Sequence, residues 1–459
     1  MQLKRVDLPT LGNPTIPHFK AIFLSYIYNP QRYKNVIEIF TNFGIMKKIL
    51  TTLALLLGCL GLSAAQDYNC FSVIAGRDAT VDGSVLMAHN EDDSGEQMLN
   101  IYVVPGGERN LRYIWCEFPG MEVSDVLMNQ FGVSIASNGC PSREDKGEFT
   151  GEGVLYEVRM AVAKYARTAR EAVSVIGSMV ETFGYKGSGR SYIVADPSEG
   201  WVVSVVKGKH WVAQRVPDDK VMTIPNYYVI QDVDLDDEEN FAGSEDIIEY
   251  AISRGWYDPA KDGAFSFARA YASEASVSSL NNRSRHHEAW TYFFGQDRPG
   301  EFAAVPRKKV SLRDMMNVLA LHETVGADGK LENSICNDHT VLSSIFQLRP
   351  NLGFDTGCVM WNAMGHPCCQ TFVPWYAGMT EAPKGFGRFK TAAEAEKKHM
   401  SDAKDKRKKY PNHFYWNYAD NWNVLDDPSE QQREIFRARN KFEKEKTKNY
   451  NAFVASFYK

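Results

Sequence analysis

A layered α+β sandwich is the architecture this sequence predicts, on three observations. Short strand-like runs separated by turn residues follow Cys70, two amphipathic helical stretches interrupt them, and strand-like runs then return. The first runs are 70–75, 84–89, 101–105, 112–118 and 132–138, short enough to favour antiparallel pairing. Asp82-Gly83 between the first two is a hairpin signal, because glycine accepts the positive φ such turns need. Pairing them brings the Cys70 end beside 89–92.

The helical stretches are 154–166 and 169–183. Thr168-Ala-Arg-Glu171 reads as a capping box opening the second, Ala172, Val175, Ile176, Met179 and Val180 form its apolar stripe, and Gly184 stops it. Strands resume at 191–195, 201–207, 211–216 and 221–224. Helices are expected at 245–254 and 312–322, the latter opened by Ser311-Leu-Arg-Asp314, and apolar runs at 359–364 and 371–376 complete the sheets. Beyond Pro383 the chain turns charged and helical, yet carries Phe414, Tyr415, Trp416 and Trp422. That aromatic content predicts a helical extension over 386–459 packed on a main domain of 70–385.

Of 459 residues, 44% are hydrophobic and 24% charged, enough apolar material for a large core. The net charge of -5 is uneven. Residues 1–69 hold seven basic against three acidic residues, which leaves the remainder at 45 against 54, a net -9. An acidic body has no whole-chain electrostatic reason to bind nucleic acid or an anionic membrane, and the basic runs 307–309 and 404–409 read as solvated faces.

Residues 46–65 have a basic start, a short apolar stretch over 49–62 and small residues at Ser63-Ala64-Ala65, the pattern of a secretory signal peptide. The apolar stretch is short for a membrane-spanning helix. Met46 is then the expected initiator, with 1–45 an upstream over-extension, and the protein is expected outside the cytoplasm, periplasmic or extracellular. Leu56-Leu57-Gly58-Cys59 also resembles a lipoprotein cleavage box, which makes lipid attachment at Cys59 the alternative. Setting Cys59 and Cys70 aside, six cysteines remain: Cys116, Cys140, Cys336, Cys358, Cys368 and Cys369. Disulfides and free buried thiols are both open for them.

For chemistry, no metal or nucleotide motif stands out. His286-His287, His322 and His366 lack His-Glu-x-x-His spacing, Cys368-Cys369 has no second pair at zinc-finger spacing, and no Gly-rich phosphate loop follows a strand. No cofactor is expected. What remains is Cys70, just beyond the leader at the head of the first strand. Exposed as a first residue, behind a propeptide of 66–69, it would carry both a thiol and a free α-amine of ordinary pKa about 7.7–8.0. Such an amine can take the thiol proton and later return one to the leaving group, so one residue supplies nucleophile and base.

Cys70-Phe-Ser-Val-Ile-Ala-Gly through Met87-Ala-His-Asn-Glu-Asp92 resembles the start of the cysteine-type dipeptidases, the dipeptidase A and secernin relatives among the N-terminal-nucleophile (Ntn) hydrolases. The resemblance continues through Arg190-Ser-Tyr-Ile-Val-Ala-Asp-Pro-Ser-Glu-Gly-Trp201, Trp211-Val-Ala-Gln-Arg-Val-Pro217, Phe346-Gln-Leu-Arg-Pro350 and Phe372-Val-Pro-Trp-Tyr-Ala-Gly-Met-Thr380, over most of 70–385. It implies a four-layer αββα fold and cofactor-free hydrolysis of dipeptides through a thioester on Cys70. In related bile-salt hydrolases and penicillin V acylases a basic residue and an Asp end the second strand. His89 and Asp92 stand there, His89 replacing the usual Arg and Asp92 orienting the α-amine. Asn138 matches an oxyanion-hole asparagine, Asn226 a second site asparagine, and Arg283 or Arg285 a substrate-binding arginine. Two other readings remain: an N-acyl amide hydrolase on the same fold, and a secreted binding protein that has kept the scaffold without catalysis.

Overall fold

In the structure, a computed structural model, residues 70–93, 98–120, 126–322, 334–401 and 406–422 are described. The upstream segment 1–45, the leader 46–65 with Cys59, and 66–69 lie outside them. Phe71–Ala75 (β1) and Val85–Asp92 (β2) pair antiparallel, with Ser72 opposite His89 and Phe71 opposite Asn90. Their connection over 76–84 is longer than a two-residue turn. It includes a 3-10 turn at Arg77–Ala79, and Gly83 takes the left-handed conformation at φ 74°.

The chain continues through Asn100–Val104 (β3), Tyr113–Glu117 (β4), Leu127–Asn129 (β5) and Ser134–Gly139 (β6). Helices Glu157–Tyr165 (α1) and Ala169–Phe183 (α2) follow, then Tyr185–Ala195 (β7), Gly200–Gly208 (β8), Trp211–Arg215 (β9), Val221–Ile224 (β10) and Phe241–Gly243 (β11). After three short helices come Leu280–Phe294 (α3), Leu312–Leu319 (α4), Thr340–Leu348 (β12), Cys358–Met364 (β13) and Val373–Tyr376 (β14). Six strands form one sheet in the order β10-β1-β2-β12-β13-β14, and eight form the other, β11-β9-β8-β7-β6-β5-β4-β3. Every pairing within these sheets is antiparallel.

Strand alternation sorts the side chains into layers. Ile74, Val85 and Met87 of the first sheet meet Ile114, Met128, Ala136, Ile193 and Val202 of the second in a core between the sheets. Their neighbours Phe71, Val73, Leu86 and Ala88 turn the other way, onto Phe293 of α3 and Met315 and Leu319 of α4. On the far side α1 lies against β5 and β6, and α2 against β7, β8 and β9. The result is a four-layer αββα sandwich. Each fully buried large aliphatic side chain contributes on the order of 1.5–3 kcal/mol, so both faces of the first sheet stabilise the fold.

Local signals are realised with one change. Thr168 Oγ1 accepts the Glu171 N–H at 3.1 Å, but the Glu171 carboxylate takes the N–H of Arg167 rather than that of Thr168. The reciprocal box forms instead at α4, where Ser311 and Asp314 each bond the other's backbone N–H. The longest elements to escape the sequence reading are β12, which lies between β2 and β13, and α3; the short strands β5 and β11 escape it too. The buried residues of α3 include Asn282, Arg285, His286, Ala289 and Phe293, a helical stripe whose polar members hide its period.

Phe386, Tyr415 and Trp416 join the inter-sheet core. Arg388 donates to Glu117 of β4 at 2.8 Å with both side chains buried, which fixes the C-terminal segment to the second sheet. Seven cysteines occur among the described residues, and all are free thiols. Among those residues no helix is long and apolar enough to cross a membrane.

Candidate functional site

Cys70 sits at the head of β1, 5% exposed. Parity along β2 divides the residues beside it: His89 and Glu91 point between the sheets, Asn90 and Asp92 towards the helices. On the inter-sheet side Cys70 Sγ lies 3.7 Å from Glu91 Oε2, which is 3.2 Å from His89 Nε2. His89 Nδ1 lies 2.8 Å from Ser72 Oγ, and that hydroxyl donates to Asn138 Oδ1 at 2.7 Å. Asn138 belongs to β6, so this chain of hydrogen bonds ties the two sheets together.

Its protons can be assigned. Asn138 Nδ2 faces three carbonyl oxygens, of Ile224 at 2.7 Å, Pro225 at 3.3 Å and Cys70 at 3.4 Å, which fixes Oδ1 towards Ser72. The Ser72 hydroxyl proton is therefore committed to Asn138, and Ser72 must accept from His89 Nδ1–H. Burial, opposed by the nearby Asp92 carboxylate, pushes His89 down to about 3, so the ring is neutral near pH 7 and Nε2 carries no hydrogen. His89 Nε2 and Glu91 Oε2 thus stand side by side next to the thiol.

The helix side positions the main chain. Arg285 of α3 is fully buried and donates to the Cys70 carbonyl at 3.2 Å, to Asn226 Oδ1 and Asn282 Oδ1 at 2.9 Å each, and to the Asn281 carbonyl at 3.2 Å. Its guanidinium lies 3.9 Å from Asp92 Oδ2. Asp92 accepts from Asn337 Nδ2 at 2.8 Å and from Thr340 Oγ1 at 2.7 Å. Asn226 Nδ2 donates to the Gly139 carbonyl at 2.9 Å. Burial pushes the Asp92 carboxyl up to about 6, opposed by Arg285, Asn337 and Thr340. Burial also raises the Cys70 thiol, with the Asp92 carboxylate adding to the rise, while the Asp92 backbone N–H, Arg190 and Arg285 pull it down. Positive charge near the thiol therefore comes from Arg190 and Arg285, not from residue 89.

A family model described as Peptidase family C69 matches residues 150–405, more than half of the chain. The protein belongs to peptidase family C69. It is 27% identical over 387 residues to a probable dipeptidase of Salmonella dublin, covering 74% of this chain and 87% of the relative. A dipeptidase of Bifidobacterium longum is 24% identical over 386 residues, with 68% of this chain and 72% of the relative covered. Among solved structures, a mutant of the conjugated bile acid hydrolase from Clostridium perfringens has 10% identity and a TM-score of 0.35, covering 69% of this chain and 98% of that one. A Caenorhabditis elegans ortholog of N-acylethanolamine-hydrolyzing acid amidase has 14% identity and a TM-score of 0.30, over 60% and 92% of the two chains.

Within this C69 peptidase the matched stretch begins after β6, so Cys70, His89, Glu91, Asp92 and Asn138 all precede it. Of the residues singled out from sequence, Cys70, His89, Asp92, Asn138, Asn226 and Arg285 come together through the bonds above. Arg283 does not: it is exposed on α3, while Arg285 faces inward. Sequence reasoning missed Glu91, Ser72 and Arg190. For Glu91 a signal existed, since a residue two positions after His89 on a strand shares its face. Cys70, His89 and Glu91 also bring donor atoms within 4.8 Å of one another, as a cation site would. Here each contact uses its own lone pair or proton, since a carboxylate oxygen has room for both neighbours, and hydrogen bonding accounts for the proximity.

Proposed function

We propose that this peptidase hydrolyses dipeptides with Cys70 as an N-terminal nucleophile, exported behind the leader 46–65 and freed of everything before residue 70. The Cys70 thiolate attacks the peptide carbonyl after its proton passes to the α-amine, the tetrahedral intermediate expels the amine, and water hydrolyses the thioester. Asp92 orients the α-amine from the helix side. Asn138 and Asn226 are assigned to the oxyanion side of the site, a role that requires their Nδ2 groups to turn towards substrate from the main-chain carbonyls of Ile224 and Gly139 that they bond here; one such donor is worth roughly 2.7–4 kcal/mol. Arg285 positions the Cys70 carbonyl and balances Asp92.

One observation carries this reading. The main chain of a single cysteine, at the head of a central strand, is gripped at its carbonyl by Arg285 and Asn138 from different elements while its thiol faces Glu91 and His89. An ordinary core cysteine has no need of such partners. The relatives named dipeptidase support the substrate class.

Dipeptides carry a free ammonium and carboxylate, whose burial without a partner costs several kcal/mol, so a dipeptidase site must read both ends. Free dipeptides should be cleaved, and N-acetylation of the same dipeptides should lower kcat/KM by at least about tenfold, equivalent to roughly 1.4 kcal/mol. Preference for acylated substrates would instead assign an N-acyl amidase to the same nucleophile. Cleavage of neither by correctly processed protein would leave a binding protein.

A further inference from the structure

A second cluster lies outside the hydrogen-bonded site. His322 lies just beyond the C-terminus of α4, Cys336 precedes β12 and Cys368 follows β13, so three distant segments supply it. His322 and Cys336 form an isolated parallel bridge, and the Cys336 N–H donates to the Leu321 carbonyl at 2.7 Å. Cys336 and Cys368 are buried, together with Cys369 and Ala320 in a small apolar cluster of their own. His322 Nδ1 lies 3.4 Å from Cys336 Sγ and 3.6 Å from Cys368 Sγ, and all three donor atoms fall within 4.8 Å of one another.

Hydrogen bonding explains this cluster less well than it explains the one at Cys70. A ring nitrogen has one in-plane bonding direction, yet two sulfurs converge on the same Nδ1. The distances fit a different geometry. Tetrahedral zinc, with Zn–S about 2.3 Å and Zn–N about 2.0–2.1 Å, sets an N-to-S edge of about 3.6 Å. Two thiolates and an imidazole are the soft donor set that zinc selects, and the spacing along the chain hides it because no two ligands share a local motif.

We propose that His322, Cys336 and Cys368 bind one zinc ion, with the fourth position taken by water. Binding replaces the two S–H bonds by two S–Zn bonds and releases two protons to solvent, with no redox change. The ion would brace Cys336, and with it Asn337, the residue that donates to Asp92. Its role is structural, one step removed from the nucleophile.

The test uses the full processed chain, reduced, stripped with a chelator and titrated anaerobically with zinc sulfate. One zinc per chain should bind, raise Tm, and protect Cys336 and Cys368 from alkylation as mapped by peptide mass, while Cys70 and Cys116 label as before. Cys336→Ser and Cys368→Ser should each lower zinc affinity at least about tenfold, and Cys369→Ser should retain one zinc per chain. Should either serine variant fail to fold, cobalt substitution of the unaltered protein gives an independent reading through a thiolate-to-metal charge-transfer band. Unchanged alkylation of Cys336 and Cys368 in saturating zinc would overturn the proposal. So would a Cys336–Cys368 disulfide, two hydrogens lighter, in protein purified without reductant that takes up no zinc after reduction.

Discussion

Asp92 and His89 lie three residues apart on one strand and face opposite sides of the first sheet, and their protonation pulls stability in opposite directions. Asp92, raised to about 6 from an ordinary 3.8, contributes stability that is fully present below its unfolded value and lost as pH rises through about 6. The interval is equivalent to roughly 3 kcal/mol. His89, lowered to about 3, does the reverse, losing stability as pH falls from about 6.5. Asp92→Asn removes the first effect and, by taking away the carboxylate that holds His89 up, pushes the second to still lower pH. The stability advantage of the unaltered protein over this variant should therefore shrink by up to about 3 kcal/mol between about pH 4 and pH 7, measured by urea unfolding; a constant difference would remove the raised carboxyl. Glu91→Gln offers a complementary reading, because it keeps the shape of the side chain within reach of His89 Nε2 while removing the carboxyl. Because the α-amine carries the thiol proton, turnover should stay within about tenfold of the unaltered protein, and a fall of about a hundredfold would place Glu91 in the proton transfer instead. The sequence pointed to His89 and Asp92 by resemblance, but which face each occupies follows from register, and Glu91 became visible only through that parity.

At the scale of elements, α2 shows how a helix can be read correctly in extent and still conceal its packing. A Cβ placed on Gly177 would come within 2.1 Å of Trp211 Cζ2, and the indole is held in place by its Nε1–H bond to Glu181 at 2.9 Å. In an exposed helix, replacing Gly by Ala stabilises by about 1 kcal/mol. Here the sign should reverse, and Gly177→Ala should destabilise by about 1–3 kcal/mol through overpacking. An unchanged or higher urea midpoint would show that the ring can yield. Apolar period and capping residues made α2 legible, as they did the edges of β10 and the start of α4. They could not reveal α3, whose inward face mixes polar Asn282, Arg285 and His286 with the core residues Ala289 and Phe293. Polar residues at buried helical positions were themselves the available signal, since such groups are buried only with partners.

For the whole molecule, the alternation of strands, two helices and strands was enough to give the layers, because each element must cover an apolar face. It was not enough to give the sheet order. β2 pairs with β12 across a separation of some 250 residues, with a register irregularity between Thr340 and Leu342, and nothing local in either strand specifies that partner. That long-range pairing is what sets Thr340 and Asn337 beside Asp92, at the end of the strand next to the nucleophile. The account as a whole stands on Cys70 being both the first residue of the working protein and the atom that is acylated. The most direct measurement is to mix the active protein with a dipeptide, quench it with acid during turnover, and determine the mass and sequence of the N-terminal peptide. The expected result is a peptide beginning at Cys70 that carries the acyl mass of the substrate's N-terminal residue on sulfur and loses it on further incubation before quenching. A fully active protein whose first residue lies upstream of Cys70, or an acyl group found on any other side chain, would contradict it.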